Sequence, residues 1–417
     1  MLSKVLLCEI KGLKPEGKYL LARLAQCLGA NGNITLTVRD LSRRFDLSVA
    51  HVSDALTTLV AGGVLASAAV PDGKGRPKKQ YSLDRQFLQG LEKVELSPMT
   101  LHQTLIERLL EHEKRRRAEA PKEREDASQI LAAARSRRSL GGLTAVNRLL
   151  LAVMLLHADR FGVVRNVGAA ALQMMTCLSS GRLKHRIARL IDLGLIRAYV
   201  PGAAGSVLFN KTPSVYFLNL DHSELSTGTS FANVRVYKRK IGTSEADLRV
   251  ANRMLSDAVR FRDDPESVAV DPIRFKHIAE LFQAEPQSMY PLLQLRLESY
   301  AAYLLSKYWS RVHLLVGDEE FSPNVDSELK ERIRADFSRS KALTSIDRAT
   351  AVFSGNALRN SLEDELYARA RDLACSIHSV FDGKPDSPMG LMDFTIVPQT
   401  GKPGAWEVEL LAIGRSV

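Results

Sequence analysis

Leu20, Leu21, Leu24 and Leu28 share one face of a stretch that starts at Pro15 and stops at Gly29 and Gly32, which predicts a helix over Pro15–Leu28. Thr37 is placed to cap a second helix, Val38–Phe45, and Ser48 a third, Val49–Ala61, with only Asp46 and Leu47 left for the turn between them. Val52, Leu56 and Leu59 give the third helix its inward stripe. Two amphipathic helices joined by so short a turn predict a helix-turn-helix. Gly62 and Gly63 end the third helix, and residues 64–70 and 80–83 then read as strands around a loop at 71–79.

The same grammar returns further along. Thr144 heads an apolar helix through Val146, Leu149, Leu150, Val153, Met154 and Leu156, and 162–164 reads as a short strand. A helix over 167–176 follows. Ser179 or Ser180 then caps a third helix that runs to Asp192, with Leu183, Ile187, Leu190 and Ile191 turned inward. Strands at 195–200 and 207–220 flank a short, neutral loop at 201–206. Between the two halves, Leu101, Leu105 and Leu109 mark a helical run that dissolves into a mixed-charge stretch broken at Pro121. Residues 96–141 therefore read as a solvated connector, with Arg115, Arg116, Arg117, Arg135, Arg137 and Arg138 as a candidate arm for phosphates. Beyond 240, helices are expected over 244–262, 271–313, 325–339 and 345–380, closed by two strands at 390–397 and 405–413. The expected fold class is mainly α with small β-wings. It comprises a winged-helix domain at 1–95, the charged helical linker at 96–141, a second winged-helix domain at 142–240, and an acidic α-rich domain at 241–417 that ends in a β-hairpin.

After the first helix-turn-helix come Gly62-Gly63-Val64-Leu65 and then Gly75-Arg76-Pro77-Lys78-Lys79-Gln80-Tyr81-Ser82-Leu83. Over about 70 residues, this order resembles the winged-helix transcription regulators of bacteria, including the PadR, MarR and ArsR groups. The resemblance implies that Ser48, Ala50, His51, Ser53, Asp54 and Thr57 form the outward face of a recognition helix whose start enters the major groove. It also implies that Arg76 at the wing tip enters a narrow minor groove while Lys74, Lys78 and Lys79 pair with phosphates. That helix departs from a strong base reader in having no Arg or Lys between Ser48 and Ala61. The second recognition helix supplies what the first lacks. Ser180 stands at its start, Arg182, Lys184, His185, Arg186 and Arg189 lie off its apolar stripe, and Lys211 stands near the following turn. For both basic regions the alternative is a solvated charged surface.

Charge sharpens this division. The chain of 417 residues carries a net +11, to which residues 1–240 contribute +17 and residues 241–417 contribute −6. A cationic front part suits a polyanion, and an acidic back part suits oligomerisation or a protein partner. No apolar run is long enough for a membrane span, and the amino terminus does not read as a signal peptide. Cys8, Cys27, Cys177 and Cys375 are scattered without metal-ligand spacing, which fits a reducing cytoplasm and no metal. No phosphate-loop, nucleophile-elbow or zinc-protease motif occurs; the acidic pairs Asp263–Asp264 and Glu319–Glu320 are the nearest approach to a metal nuclease. The aromatic cluster Tyr300, Tyr303, Tyr308 and Trp309 reads as core, with a ligand pocket as the alternative.

The expected function is sequence-specific binding of double-stranded DNA as a cytoplasmic, nucleoid-associated transcriptional regulator. It would act as a homodimer without cofactor or enzymatic activity. The alternatives are a replication initiator or partition protein of a plasmid or integrated mobile element, and a nucleic-acid-processing enzyme.

Overall fold

A computed structural model describes residues 1–29, 32–71, 78–94, 101–111, 143–203, 212–225, 232–237, 250–264, 287–316, 326–337, 355–381, 388–398 and 407–414, together with Glu266, Lys276, Ala279 and Phe282. These residues are mainly helical, with three small three-stranded sheets. The chain forms two compact units: Met1–Arg197 with Leu218–Gly228, and Ala198–Phe217 with Thr229–Val417.

The first unit opens with α1 (Leu2–Leu7) and α2 (Pro15–Leu28). Proline at the first turn of α2 uses a position whose amide has no helical acceptor, and the apolar face of α2 is fully buried at Tyr19, Leu20, Leu21 and Leu24. β1 (Asn33–Thr35) precedes α3 (Val38–Phe45) and α4 (Val49–Ala61). Thr37 and Asp40 form a reciprocal capping box on α3, and the Ser48 hydroxyl accepts from the His51 amide at 3.1 Å to cap α4. β2 (Leu65–Val70) and β3 (Lys78–Leu83) complete an antiparallel sheet of order β1-β3-β2, in register at Ile34↔Tyr81 and Leu65↔Leu83. The return strand thus starts two residues earlier than its sequence pattern indicates, because Lys78 and Lys79 pair with Val70 and Ala69 and belong to the ladder. α5 (Arg85–Glu92) and α6 (Gln103–Glu111) follow.

The second half of the unit carries α7 (Ala145–Leu156), β4 (Val163–Val164), α8 (Ala169–Thr176) and α9 (Ser180–Asp192). The Thr144 hydroxyl accepts from the Asn147 amide at the start of α7. α7 is buried along nearly its whole length and packs against α1, α2 and α6. This leaves the two halves sharing one apolar core. β5 (Ile196–Val200) and β6 (Val215–Leu218), most of whose residues fall in the second unit, belong to a sheet of order β4-β6-β5.

In the second unit, β7 (Ala232–Tyr237) lies within the segment that the sequence assigns to 142–240. It pairs with β9 (Glu407–Gly414), which also pairs with β8 (Met392–Val397), giving the order β7-β9-β8. The long helices α11 (Tyr290–Tyr308) and α13 (Gly355–His378) pack together, with α10 (Val250–Asp263) on α11 and α12 (Ser327–Phe337) on α13. Trp309 stacks on Phe394 at 4.8 Å and meets His378 and Phe381 edge-on, which anchors the sheet to the helices. Among the described residues, no helix is long and apolar enough to cross a membrane.

Candidate nucleic-acid interface

The backbone of the first unit draws one design twice. α3 and α8 each have eight residues and end in a left-handed residue, Asp46 (φ 52°) and Cys177 (φ 57°). α4 and α9 each have thirteen residues and are followed by Gly63 (φ 65°) and Gly194 (φ 73°), where a side chain would be strained. The hydrogen bonds repeat as well. The Leu47 amide donates to the Ser42 carbonyl and Leu178 to Gln173; Val64 donates to Leu59 and Leu195 to Leu190. Every matching pair is separated by the same number of residues. Leu47-Ser48 against Leu178-Ser179, and Gly63-Val64-Leu65 against Gly194-Leu195-Ile196, are its trace in the sequence.

Both α4 and α9 turn a face to solvent. On α4, Ser48, Ala50, His51, Ser53, Asp54 and Thr57 are exposed, while Val52, Leu56 and Leu59 are buried. On α9, Ser180, Arg182, Lys184 and His185 are exposed, and Arg186 and Arg189 are half-buried. The stripe of α9 is narrower than its sequence pattern: Leu183 and Leu190 are buried, Ile187 is half-buried, and Ile191 is 39% exposed. Ser179 occupies the cap position of α9 without making a side-chain cap bond.

The start of α2 reaches both helices. Lys14 pairs with Asp54 of α4 at 2.9 Å, and Glu16 pairs with Arg182 of α9 at 2.9 Å. Burial alone would push the Glu16 carboxyl up. A hydrogen bond from its own backbone amide, the Arg182 guanidinium and the nearby His51 imidazole together hold it below the usual carboxylate range. One carboxylate thus stands between the opening turns of α4 and α9. Arg186 donates to Thr144 Oγ1 and Asn147 Oδ1, both at 3.4 Å, and so leans on the start of α7. Among the described residues, Lys184 and His185 are exposed and without a partner, leaving them the most available basic groups of α9.

Lys79 is exposed on β3, and the Lys78 backbone pairs with Val70. Lys74, Arg76 and Lys211 lie outside the described residues, as do the connector arginines and Glu319–Glu320. Asp263 pairs with Arg262, and Asp264 accepts from the Glu266 amide. Among the described residues, no group of His, Cys, Asp and Glu is arranged to hold a metal. In the aromatic cluster, Tyr300 and Trp309 are buried, and the hydroxyls of Tyr303 and Tyr308 donate to carboxylates at Glu328 and Asp326. Sequence reasoning missed Lys14, Glu16, Thr144 and Asn147 as partners of the exposed helices, and an acidic residue in a first helical turn gave no sign of its distant arginine.

No protein-family model and no curated protein matches this chain.

Proposed function

We propose that the first unit is a duplex-DNA-binding unit made of two winged helices on one chain, and that the protein is a sequence-specific transcriptional regulator. The repeated frame carries this reading. Two thirteen-residue helices each follow a tight left-handed turn, each leaves its opening turn exposed, and the start of α2 reaches both. Helices held in this way, followed by small sheets, suit entry into the major groove. α9 supplies the cationic face, with Lys184 and His185 free to approach bases or phosphates and Arg189 nearer the backbone. α4 offers hydroxyls and one imidazole, which allow close approach, and the basic β2–β3 loop adds phosphate contacts. A single chain then brings two grips to adjacent parts of one duplex, and pairing of two chains through the acidic region 241–417 would double them.

Selection of bound duplexes from a random library, followed by titration across a salt series, tests this. The expected result is a bipartite site and a log–log salt slope of about −3 to −4, as for release of roughly four phosphate counterions. Absence of duplex binding in dilute buffer would overturn the reading. Footprints in the native host separate the biological roles: sites in promoters support regulation, and direct repeats beside an A·T-rich segment support initiation of replication instead.

A further inference from the structure

Gly17 lies in the first turn of α2, where that helix meets α4. A Cβ at Gly17 would stand 3.2 Å from the Ala55 Cβ, so α2 approaches α4 there with no side chain of its own between them. One residue earlier, Glu16 holds Arg182 of α9 at 2.9 Å. Lys14, just before the helix, adds the ion pair to Asp54, the neighbour of Ala55. This turn has little room to shift, because Lys18, Tyr19, Leu20 and Leu21 directly after it are fully buried. α4 and α9 are therefore pinned to consecutive residues of one helix. Consecutive Cα atoms are only about 3.8 Å apart, so even with the Glu16 and Arg182 side chains fully stretched, the Cα atoms of Ala55 and Arg182 stand no more than about 25 Å apart. The His51 imidazole, in the first turn of α4, also acts on the Glu16 carboxylate, which brings the opening of α4 to the same place.

That distance limits how one chain can sit on a duplex. Recognition helices that read two half-sites from one side of DNA stand about 34 Å apart, a full helical turn. At about 3.4 Å per base pair, 25 Å spans about seven base pairs, a single continuous stretch of groove. Ser53 and Asp54 beside Ala55, and Arg182, Lys184 and His185 on α9, are the exposed residues at its two ends. We propose that α4 and α9 of one chain enter the same stretch of major groove and read one compact site within a single helical turn, not two half-sites a turn apart. This inference rests on the DNA-binding reading and fixes the class of duplex that the unit takes. The two surfaces suit a shared groove. α9 brings the cations that grip the phosphates along its edges, and α4, with no Lys or Arg between Ser48 and Ala61, brings small and hydroxyl side chains close to the bases.

The test selects duplexes against the full-length chain and then trims the selected site from both ends. Lys184→Ala reports on α9 and His51→Ala on α4, both at exposed positions. The base positions whose preference the two variants relax should be centred no more than about seven base pairs apart. A duplex of about 12 base pairs holding both should bind one chain, with each variant still weakening binding by about threefold or more. Positions centred about ten or more base pairs apart, or loss of either variant's effect on the trimmed duplex, would overturn the shared groove and leave DNA binding in place. Unchanged base preference in His51→Ala would overturn it as well, since α4 would then lie outside the groove. A chain that selects no duplex of any sequence would remove the DNA-binding reading and this inference together.

Discussion

α4 and α9 are built on one frame and present opposite surfaces. Each runs for thirteen residues after a left-handed turn and ends before a positive-φ glycine. Yet the outward residues of α4 are Ser48, Ala50, His51 and Ser53, whereas α9 shows Arg182, Lys184 and His185. Their tethers differ too. Lys14 and Asp54 hold α4 with side chains 68% and 53% exposed, while α9 is held through Glu16, only 15% exposed. Ion pairs as open as the first contribute little, and the second has more of its partner shielded from solvent. Where a helix starts and stops is decided by caps, glycines and the apolar stripe. What its surface can bind is decided by outward positions that those signals leave free.

The widest test of that contrast is charge reversal. Lys184→Glu with His185→Glu should weaken duplex binding by about 100-fold, or about 2.7 kcal/mol. Ala50→Glu with Ser53→Glu on α4 should cost less than about tenfold. Fluorescence anisotropy at one fixed salt concentration measures both. Equal losses would mean that the two helices contribute alike in spite of their surfaces. The converse exchange is expected to be smaller. Ala50→Lys with Ser53→Lys places cations on exposed positions of α4 and should tighten non-specific binding by about tenfold, or about 1.4 kcal/mol, with a steeper salt slope.

The caps separate frame from face. Ser48→Ala removes an acceptor that the His51 amide uses, and should lower the stability of the chain by about 1 kcal/mol. Ser179→Ala removes a hydroxyl with no cap bond, and its effect should stay within a few tenths of a kcal/mol. Midpoints of urea unfolding distinguish the two, and equal shifts would erase this difference between the helices.

Much of this frame is legible in the residues because caps and turns are local chemistry. Thr37, Ser48, Thr144, Gly63 and Gly194 mark boundaries within one or two turns of themselves. Length hid other elements: α1 spans six residues and β1 three, too few for periodicity to register. β7 was hidden by distance, since its partners run from Ala232↔Ala412 to Tyr237↔Glu407. Ile191 shows the limit of a helical stripe, because whether its edge is covered depends on what packs there, and here nothing buries it. The outward basic residues of α9 were legible as a set, but their restraints were not. Arg182 meets a carboxylate 166 positions away, and no spacing rule in the chain points to it.

That ion pair gives a small effect on stability, and one that acts on frame and face together. The Glu16 carboxyl is held below its ordinary range in the folded chain, so its stabilisation is complete above the ordinary carboxylate pKa. It is lost as pH falls through the lowered folded value. Arg182 is 44% exposed, and screening by solvent limits the worth of the pair to about 0.5 kcal/mol. Glu16→Gln should therefore lower stability by about that amount between pH 6 and 8, with the gap to the unaltered chain closing as pH falls below the ordinary carboxylate range. The same substitution removes a negative charge from between the opening turns of α4 and α9 and frees the Arg182 guanidinium. Duplex affinity should rise severalfold while folding stability falls. A variant that loses both would show that Glu16 orients Arg182 for its target, and α9 would then owe its cationic face to the frame as well as to its own residues.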